Sequence, residues 1–512
     1  MGSSAYRLGG GGGVMSGTVV AVDIGASSGR VMVVRLGDRR VDLREVHRFG
    51  NGPVALWEGD RVALHWNCER LFGEIVRGLR KARESLTAGE EIASIGIDTW
   101  AVDYALVDAR GAVLGSPYSY RDERSAAVVG AVHDRVSWPE LYQRNGLQYL
   151  PFNTIYQLAA EPPDRLAAAS ALLLIPDLFA YWLTGAMRAE VTNASTTGLL
   201  DVSTRTWDSD LAVALGIPSR ILPALVRPGE TVGTLLAHIA DETGLPAHTP
   251  VVAVGSHDTA SAVVAIPVES GPVAYISSGT WALVGVELPE PVLTTEARLA
   301  NFTNEAGVDG RIRFLRNVMG LWLLNECLRC WERSGAPAEL GELLAAAAAL
   351  PDGGPVFDPD AAAFLAPGDM PARIDTACLE AGHTPPPDRA ALVRAILDSL
   401  ALAYGRAVDD AARLSGLTID TVHLIGGGSR IELLCRLVAR ATGRRVVAGP
   451  VEATAIGNAL IQARALERSR DDLGSVRAAL RAALVGTAAP RIYPPPIAAS
   501  PVETVESRGE AR

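Results

Sequence analysis

Short apolar runs, broken by glycine and small hydroxyl residues, divide this chain into a pattern that is stated twice. Near the start, Val19–Asp23 predicts a strand, Gly25–Gly29 a turn and Val31–Leu36 a second strand. Val41–Phe49 predicts a third, antiparallel strand. The apolar spacing then changes: Leu71, Ile75 and Leu79 recur at helical intervals across Asn67–Ser85. Ile92–Asp98 predicts a buried strand, with another at Val102–Val107. Leu172–Ile175 predicts a short strand ahead of a helix over Asp177–Leu183. Val191–Leu200 is polar and small-residued, with a hairpin-like return toward Trp207. Val251–Val254 is one more strand.

The opening pattern then recurs. Ala274–Leu288 reads as strand, Ser-Gly-Thr turn, strand. Thr421–Ile425 predicts a strand that runs into Gly426–Ser429, followed by a helix to about Thr442. Arg445–Val447 predicts a strand and Glu452–Ala463 a helix. Two halves with the same opening imply a duplicated α/β unit with a cleft between the copies. The crossing is expected within 262–272, where Pro267 and Gly271-Pro272 interrupt the pattern. The halves are read as residues 18–265 and 266–495. Residues 1–17, with the run Gly9–Gly13, read as a disordered extension, 335–390 as an irregular insertion, and 496–512 as a flexible tail.

Composition narrows the function classes. At 512 residues, two or three domains are expected. Hydrophobic residues make up 48% and charged residues 21%, which is ordinary for a soluble globular chain. The net charge of −11, without a basic block, argues against a nucleic-acid partner. A polyanion would have to be held locally, by backbone NH groups, a few cations or a metal. Five scattered cysteines do not form a disulfide framework, and Cys327-x-x-Cys330 has no second pair for zinc. No apolar run is long enough to span a membrane and no signal peptide is evident, so the cytoplasm is expected.

The candidate chemistry sits at the strand ends. Asp23-Ile-Gly25-Ala26-Ser27-Ser28-Gly29-Arg30 is a turn whose backbone NH groups suit phosphate oxygens, with Asp23 placed to hold Mg²⁺; a plain capped hairpin explains it equally. It is not a Walker A loop. Ser277-Ser278-Gly279-Thr280-Trp281 repeats that turn, and two such turns facing each other would grip a triphosphate. Gly426 and Gly427 let a flat base or ribose approach the backbone, or simply make a tight turn. Asp98, Trp100 and Asp103 suit a polyol, or an ordinary strand connection around a core Trp. Asn317 is expected at the start of a helix, where capping is the alternative role. Asp258, in Ser256-His257-Asp258-Thr259, follows a strand as either a general base or a helix cap. A dehydrogenase is disfavoured, because no strand leads into a clear G-x-G-x-x-G with an acidic residue beyond it.

The segments DIGASSGR (23–30), GIDTWAVDY (96–104), SHDTASAV (256–263), SSGTW (277–281), NFTNE (301–305), RNVMGLWLL (316–324), FLAPGDMP (364–371), GGGS (426–429) and AGPVEATAIGN (448–458) together resemble the FGGY family of carbohydrate kinases, most closely its members acting on L-rhamnulose. The resemblance covers about residues 18–495. It implies two actin-like ATPase (ribonuclease H-like) domains with a catalytic cleft between them. It implies ATP-dependent phosphorylation of L-rhamnulose at its 1-hydroxyl, in rhamnose breakdown, by a monomer or small homo-oligomer. It gives Asp258 the general-base role and places His257, Thr259, Asn317 and the position of Ala101 at the sugar, where the residue reading already puts Trp100 and Asp103. It places Ala26, Ser27, Ser28, Gly29, Arg30, Thr280, Asn325, Gly426 and Gly427 at ATP, with Mg²⁺ near Asp23. Three positions depart from the family: Ala101 stands where glycine is usual, Asn325 where glutamine is usual, and Arg430-Ile431 where Gln-Asn commonly follows the glycine turn. Other ketose or polyol kinases, acting on L-fuculose or xylulose, share the phosphate residues. An actin-like ATP-binding sensor is the alternative from another class, and the paired carboxylates and His257 argue against it.

Overall fold

A computed structural model describes residues 4–6, 17–37, 40–268, 271–466, 477 and 490–495 of the protein. Two seven-stranded sheets dominate it, and their strand orders match. The first runs Ser4–Tyr6, Arg40–Gly50, Ser28–Gly37, Gly17–Ile24, Ile92–Thr99, Pro250–Val252, Thr231–Thr234. The second runs Thr303–Ala306, Ile312–Met319, Trp281–Leu288, Ala274–Ser278, Thr421–Ile425, Arg445–Ala448, Arg491–Tyr493. In each, three antiparallel pairings are followed by two parallel ones and a final antiparallel one. The duplication read from two turns is thus present in every pairing of both sheets.

Each sheet is covered on its outer face by a long helix, and the sequence marks the apolar stripe of the first. Cys68–Glu84 buries Leu71, Ile75 and Leu79 against Val20, Val22, Val31 and Val33 of the first sheet, and Asn67 caps it by accepting the Arg70 N–H. Arg389–Ser415 covers the second sheet with Ile396, Leu400 and Tyr404. A third core lies between the sheets. It is built from two helices of small residues, Asp258–Val264 and Ala453–Leu466. They cross so closely that a Cβ on Gly457 would lie 1.8 Å from the Ser261 carbonyl oxygen. Glycine is needed there for lack of space. The second helix also reaches across to the first sheet, where Gln462 donates to the Val20 carbonyl and Asn458 to Asp98. The halves therefore meet through packed backbone and through buried amides that have their partners.

Several expectations need correction. Ser4–Tyr6 is not disordered but pairs with Val41–Leu43, because the edge of the first sheet offers free backbone groups; Gly9–Gly13 and the tail 496–512 lie outside the described residues. The region 335–390 is more regular than its composition suggests, with helices at Leu340–Ala349 and Met370–Glu380. Asn317 lies within the strand Ile312–Met319, not at a helix start. Among the described residues all five cysteines are free, and no helix is long and apolar enough to cross a membrane.

Candidate active site

The strand Pro250–Val252 delivers the chain to His257, and a helix begins at Asp258. His257, not Asp258, occupies the N-cap position, and its side chain makes no capping bond. The Asp258 carboxylate is therefore not the N-cap group, and only one of its oxygens is engaged by the helix's first turn. Its Oδ1 accepts from the Thr259 N–H at 2.5 Å and the Thr259 hydroxyl at 3.1 Å, and lies 3.5 Å from His257 Nε2. The backbone before it is clamped by Glu190, which accepts from the N–H and hydroxyl of Ser256. Burial pushes the Asp258 carboxyl above its ordinary range, the neighbouring His257 opposes the rise, and Asp23 adds to it. About a third of the side chain (32%) stays exposed to the cleft, so solvent moderates the rise.

Register brings more charge to the same place. Asp23 lies opposite Arg30 on one neighbouring strand and opposite Asp98 on the other. Both bonds from Arg30, 2.9 and 2.7 Å, fall on Asp23 Oδ2. Arg30 also pairs with Glu452 of the second half, and Glu452 accepts from Arg430 at 2.8 Å. The departure at Arg430 thus closes a chain of alternating charges across the cleft. Asp98 is fully buried, with Oδ2 held by Asn458 and Oδ1 unpartnered. Burial, reinforced by the Asp23 charge, raises its carboxyl well above the ordinary range.

The two Gly/Ser/Thr turns face each other, and the hydroxyls of Ser27 and Thr280 stand 3.0 Å apart. Gly426, at φ +77°, turns the chain beside the second of them. A Cβ on Gly428 would lie 2.2 Å from Ser278 Oγ, so glycine there lets the turn after the strand pack against the Ser278 side chain.

On the opposite wall, Trp100 and Ala101 precede Val102, a β-branched residue at φ +67°. That conformation costs roughly 1–3 kcal/mol and persists because surrounding groups fix it. The Thr154 hydroxyl donates to the Val102 carbonyl at 2.6 Å, and the Val102 N–H donates to Thr196. Asn317 is held from its own strand by Gln148, whose Oε1 accepts from both the backbone N–H and the side-chain amide at 2.8 and 3.1 Å.

Of the residues predicted from sequence, Asp23, Ala26, Ser27, Ser28, Arg30, Trp100, Ala101, His257, Asp258, Thr259, Thr280, Asn317, Asn325, Gly426 and Gly427 line one cleft of about 390 Å³. Two do not line it. Asp103 is buried and accepts from the indoles of Trp66 and Trp100, the Gln157 amide and the Tyr120 N–H, so its carboxylate positions Trp100 and has no reach into the cleft. Gly29 is closed off by the Phe49 ring. Sequence reasoning missed Gln148, Thr196, Tyr120, Phe152 and Glu305, which also line it. Glu305, quoted within NFTNE, was named without a role, and no local pattern of residues sets the other four apart. Among the described residues no three His, Cys, Asp or Glu side chains form a cluster that could hold a metal.

A profile of the N-terminal domain of the FGGY family of carbohydrate kinases matches residues 18–265, and its C-terminal counterpart matches 274–466. The chain is 43% identical over 453 residues to a rhamnulokinase of Klebsiella pneumoniae strain 342, covering 88% of this chain and 89% of that one. Among solved structures it resembles xylulose kinase from Lactobacillus acidophilus (TM-score 0.73, 15% identity, 93% and 94% of the two chains) and Plasmodium falciparum glycerol kinase with ADP (TM-score 0.73, 15% identity, 94% and 95%). At those identities the likeness shows the fold alone, which is the two-domain actin-like ATPase architecture.

Proposed function

Because the chain belongs to the FGGY family of carbohydrate kinases and so transfers phosphate from ATP to a sugar, we propose that its acceptor is L-rhamnulose, phosphorylated on the 1-hydroxyl. The observation that supports the mechanism is Asp258, whose carboxylate is not the helix N-cap and lines the same cleft as the two facing phosphate-type turns. The choice of ketose leans on the 43% identity to the rhamnulokinase.

In this reading the sugar lies against Trp100, Ala101 and Asn317, with its reactive hydroxyl at Asp258. The hydroxyl oxygen attacks the γ-phosphorus of ATP. The bond from that phosphorus to the bridging oxygen of ADP breaks, and the hydroxyl proton passes to Asp258. The transfer gains mostly from alignment and charge neutralisation, so Asp258 need only take a proton that the reaction is already releasing. Oδ1 is occupied by Thr259, which leaves Oδ2 for that proton. In this reading the NH groups of Ala26, Ser27 and Thr280 meet the phosphates from both halves, the Gly279 N–H being taken by the Trp281 carbonyl. Closure of the halves excludes water as a competing acceptor.

Asp23 suits a magnesium ion carried in by the triphosphate: Arg30 takes only Oδ2, and Mg²⁺ uses one or two carboxylates with phosphate and water for the rest. Bound there, the ion would supply neutralisation of phosphate charge. A step that consumes ATP and a free sugar suits the cytoplasm.

The test is ADP release with L-rhamnulose, L-fuculose, xylulose and no sugar. L-Rhamnulose should stimulate release most. A stronger response to another ketose would reassign the acceptor, and the Ala101 methyl would be the first suspect. ATP hydrolysis indifferent to every sugar would favour the sensor reading.

A further inference from the structure

His257 is tied to the second half by a buried ion pair that neither the turns nor the phosphate contacts require. Glu305 and Arg313 stand directly opposite each other on the antiparallel strands Thr303–Ala306 and Ile312–Met319. Their charged groups lie 2.9 Å apart, and Arg313 is completely buried. Arg313 Nη2 donates to His257 Nδ1 at 3.0 Å. Glu305 Oε2 lies 3.2 Å from the same nitrogen but without hydrogen-bond geometry. Burial opposes it, yet the Arg313 guanidinium and His257 together hold the Glu305 carboxyl below its ordinary range. Removing two charges from water costs several kcal/mol per ion before their attraction is counted, so such a pair is a poor means of stabilising a fold. Its retention beside the general base asks for another reason.

That reason follows from donor chemistry. A guanidinium can only donate. The nitrogen that accepts from it carries no proton, so the imidazole proton must sit on Nε2, the nitrogen facing Asp258 Oδ1 at 3.5 Å. We infer that Arg313, held in place by Glu305, fixes the tautomer and orientation of His257, and that His257 with Thr259 in turn commits Asp258 Oδ1, leaving Oδ2 as the proton acceptor. Glu305 and Arg313 are thus positioning residues for phosphoryl transfer, acting through His257 without touching the transferring group. With the other tautomer, an unprotonated Nε2 would face the carboxylate, repel it and turn it away from the acceptor hydroxyl. The arrangement also makes the base depend on both halves, since His257 and Asp258 precede the crossing and Glu305 and Arg313 follow it. The inference rests on the general-base reading of Asp258.

The test combines kinetics with a spectroscopic readout, on the full chain and with the ketose most active in the panel. Arg313→Met, Arg313→Lys and Glu305→Gln are assayed for kcat per folded protein, counted by ATP-binding stoichiometry. Arg313→Met should lower kcat on the order of ten- to a hundredfold, part of the roughly 10²–10⁴ that a positioned base contributes, with the KM for ATP unchanged. Arg313→Lys, which can still donate to Nδ1, should recover part of the loss, and Glu305→Gln should fall between the two. Long-range ¹H–¹⁵N correlation of ¹⁵N-histidine-labelled enzyme, with the His257 signals assigned by their loss in His257→Gln, should show protonated Nε2 and bare Nδ1 in the wild type. It should show a mixture of tautomers in Arg313→Met. A protonated Nδ1 in the wild type overturns the inference, and this readout decides it even if the Arg313 variants do not fold. Unchanged kcat per ATP-binding site in Arg313→Met overturns it as well. If Asp258→Asn retains turnover, the base assignment itself has failed. If Asp258→Asn is inactive while Arg313→Met is not, only the positioning role has failed.

Discussion

In the first half, Asp98, Asp103, Asp177 and Glu190 are buried without an arginine or lysine at ion-pair distance among the described residues, while Asp23, Asp122 and Glu161 each have one. In the second half, Glu287, Glu305 and Asp398 are buried just as deeply, but each lies against an arginine: Arg477, Arg313 and Arg394. The backbones correspond strand for strand, so the difference belongs to the side chains. Burial without a cation raises proton affinity, whereas Arg313 and His257 hold the buried Glu305 below its ordinary range. The first half thus sets a proton-accepting environment around Asp258, while the second supplies fixed charge and hydrogen-bond donors. The helices that follow Pro250–Val252 and Arg445–Ala448, the corresponding strands of the two sheets, also differ: one opens with Asp258, the other with Ala453. A duplicated fold supplied two equivalent strand ends, and their acids differ: Asp258 has no arginine at ion-pair distance among the described residues, whereas Glu452 pairs with Arg30 and Arg430.

The largest break in this asymmetry should come from Asp258→Asn. A positioned base is worth roughly 10²–10⁴ in rate, so kcat should fall by about that factor while ATP affinity is retained, measured by ADP release beside nucleotide binding. Turnover near the wild-type rate would remove the functional difference between the halves.

Next in size is a pH effect on stability. Burial pushes the Asp103 carboxyl up to about 6, against the bonds it accepts from Gln157, Trp66 and Trp100. A folded-state value above the unfolded one means that the folded protein binds the extra proton between about pH 4 and 6. Stability from this group is therefore full below pH 4 and lost as pH rises through 6. The loss is on the order of 3 kcal/mol, two pKa units at about 1.4 kcal/mol each. Thermal unfolding of wild type and Asp103→Asn across that window should show the wild type losing ground to the variant as pH increases. Parallel curves would remove Asp103 from the set of uncompensated acids.

The smallest effect tests the second half. Thr280→Val removes the hydroxyl that meets Ser27 and, in the proposed complex, the phosphates. A single hydrogen bond of about 1 kcal/mol should raise the KM for ATP roughly fivefold and leave kcat nearly intact. A collapse of kcat instead would give the second turn a role in the chemical step.

Much of the site was legible because its signals are local. Gly/Ser turns after apolar strands mark themselves within a few residues, and two of them at corresponding places announced the cleft. What misled was equally local. Asp103 looked like a sugar ligand because a carboxylate near a Trp is all that a sequence can offer, and the four donors that claim it come from Trp66, Trp100, Tyr120 and Gln157. Asn317 looked like a helix cap because the strand that contains it is defined by its partners on either side.

The sequence by itself determined the repeated strand–turn–strand units, the amphipathic helix after Asn67 and the residues able to meet phosphate, since each follows from residue type and short-range periodicity. Tertiary structure alone decided which acids are left unpaired, that Gln148 holds Asn317, that Val102 is kept in a strained conformation, and that Arg313 reaches His257. Those contacts join segments that lie far apart in the chain. Their energies come from desolvation and from the few ångströms between groups, which no local pattern of residues encodes.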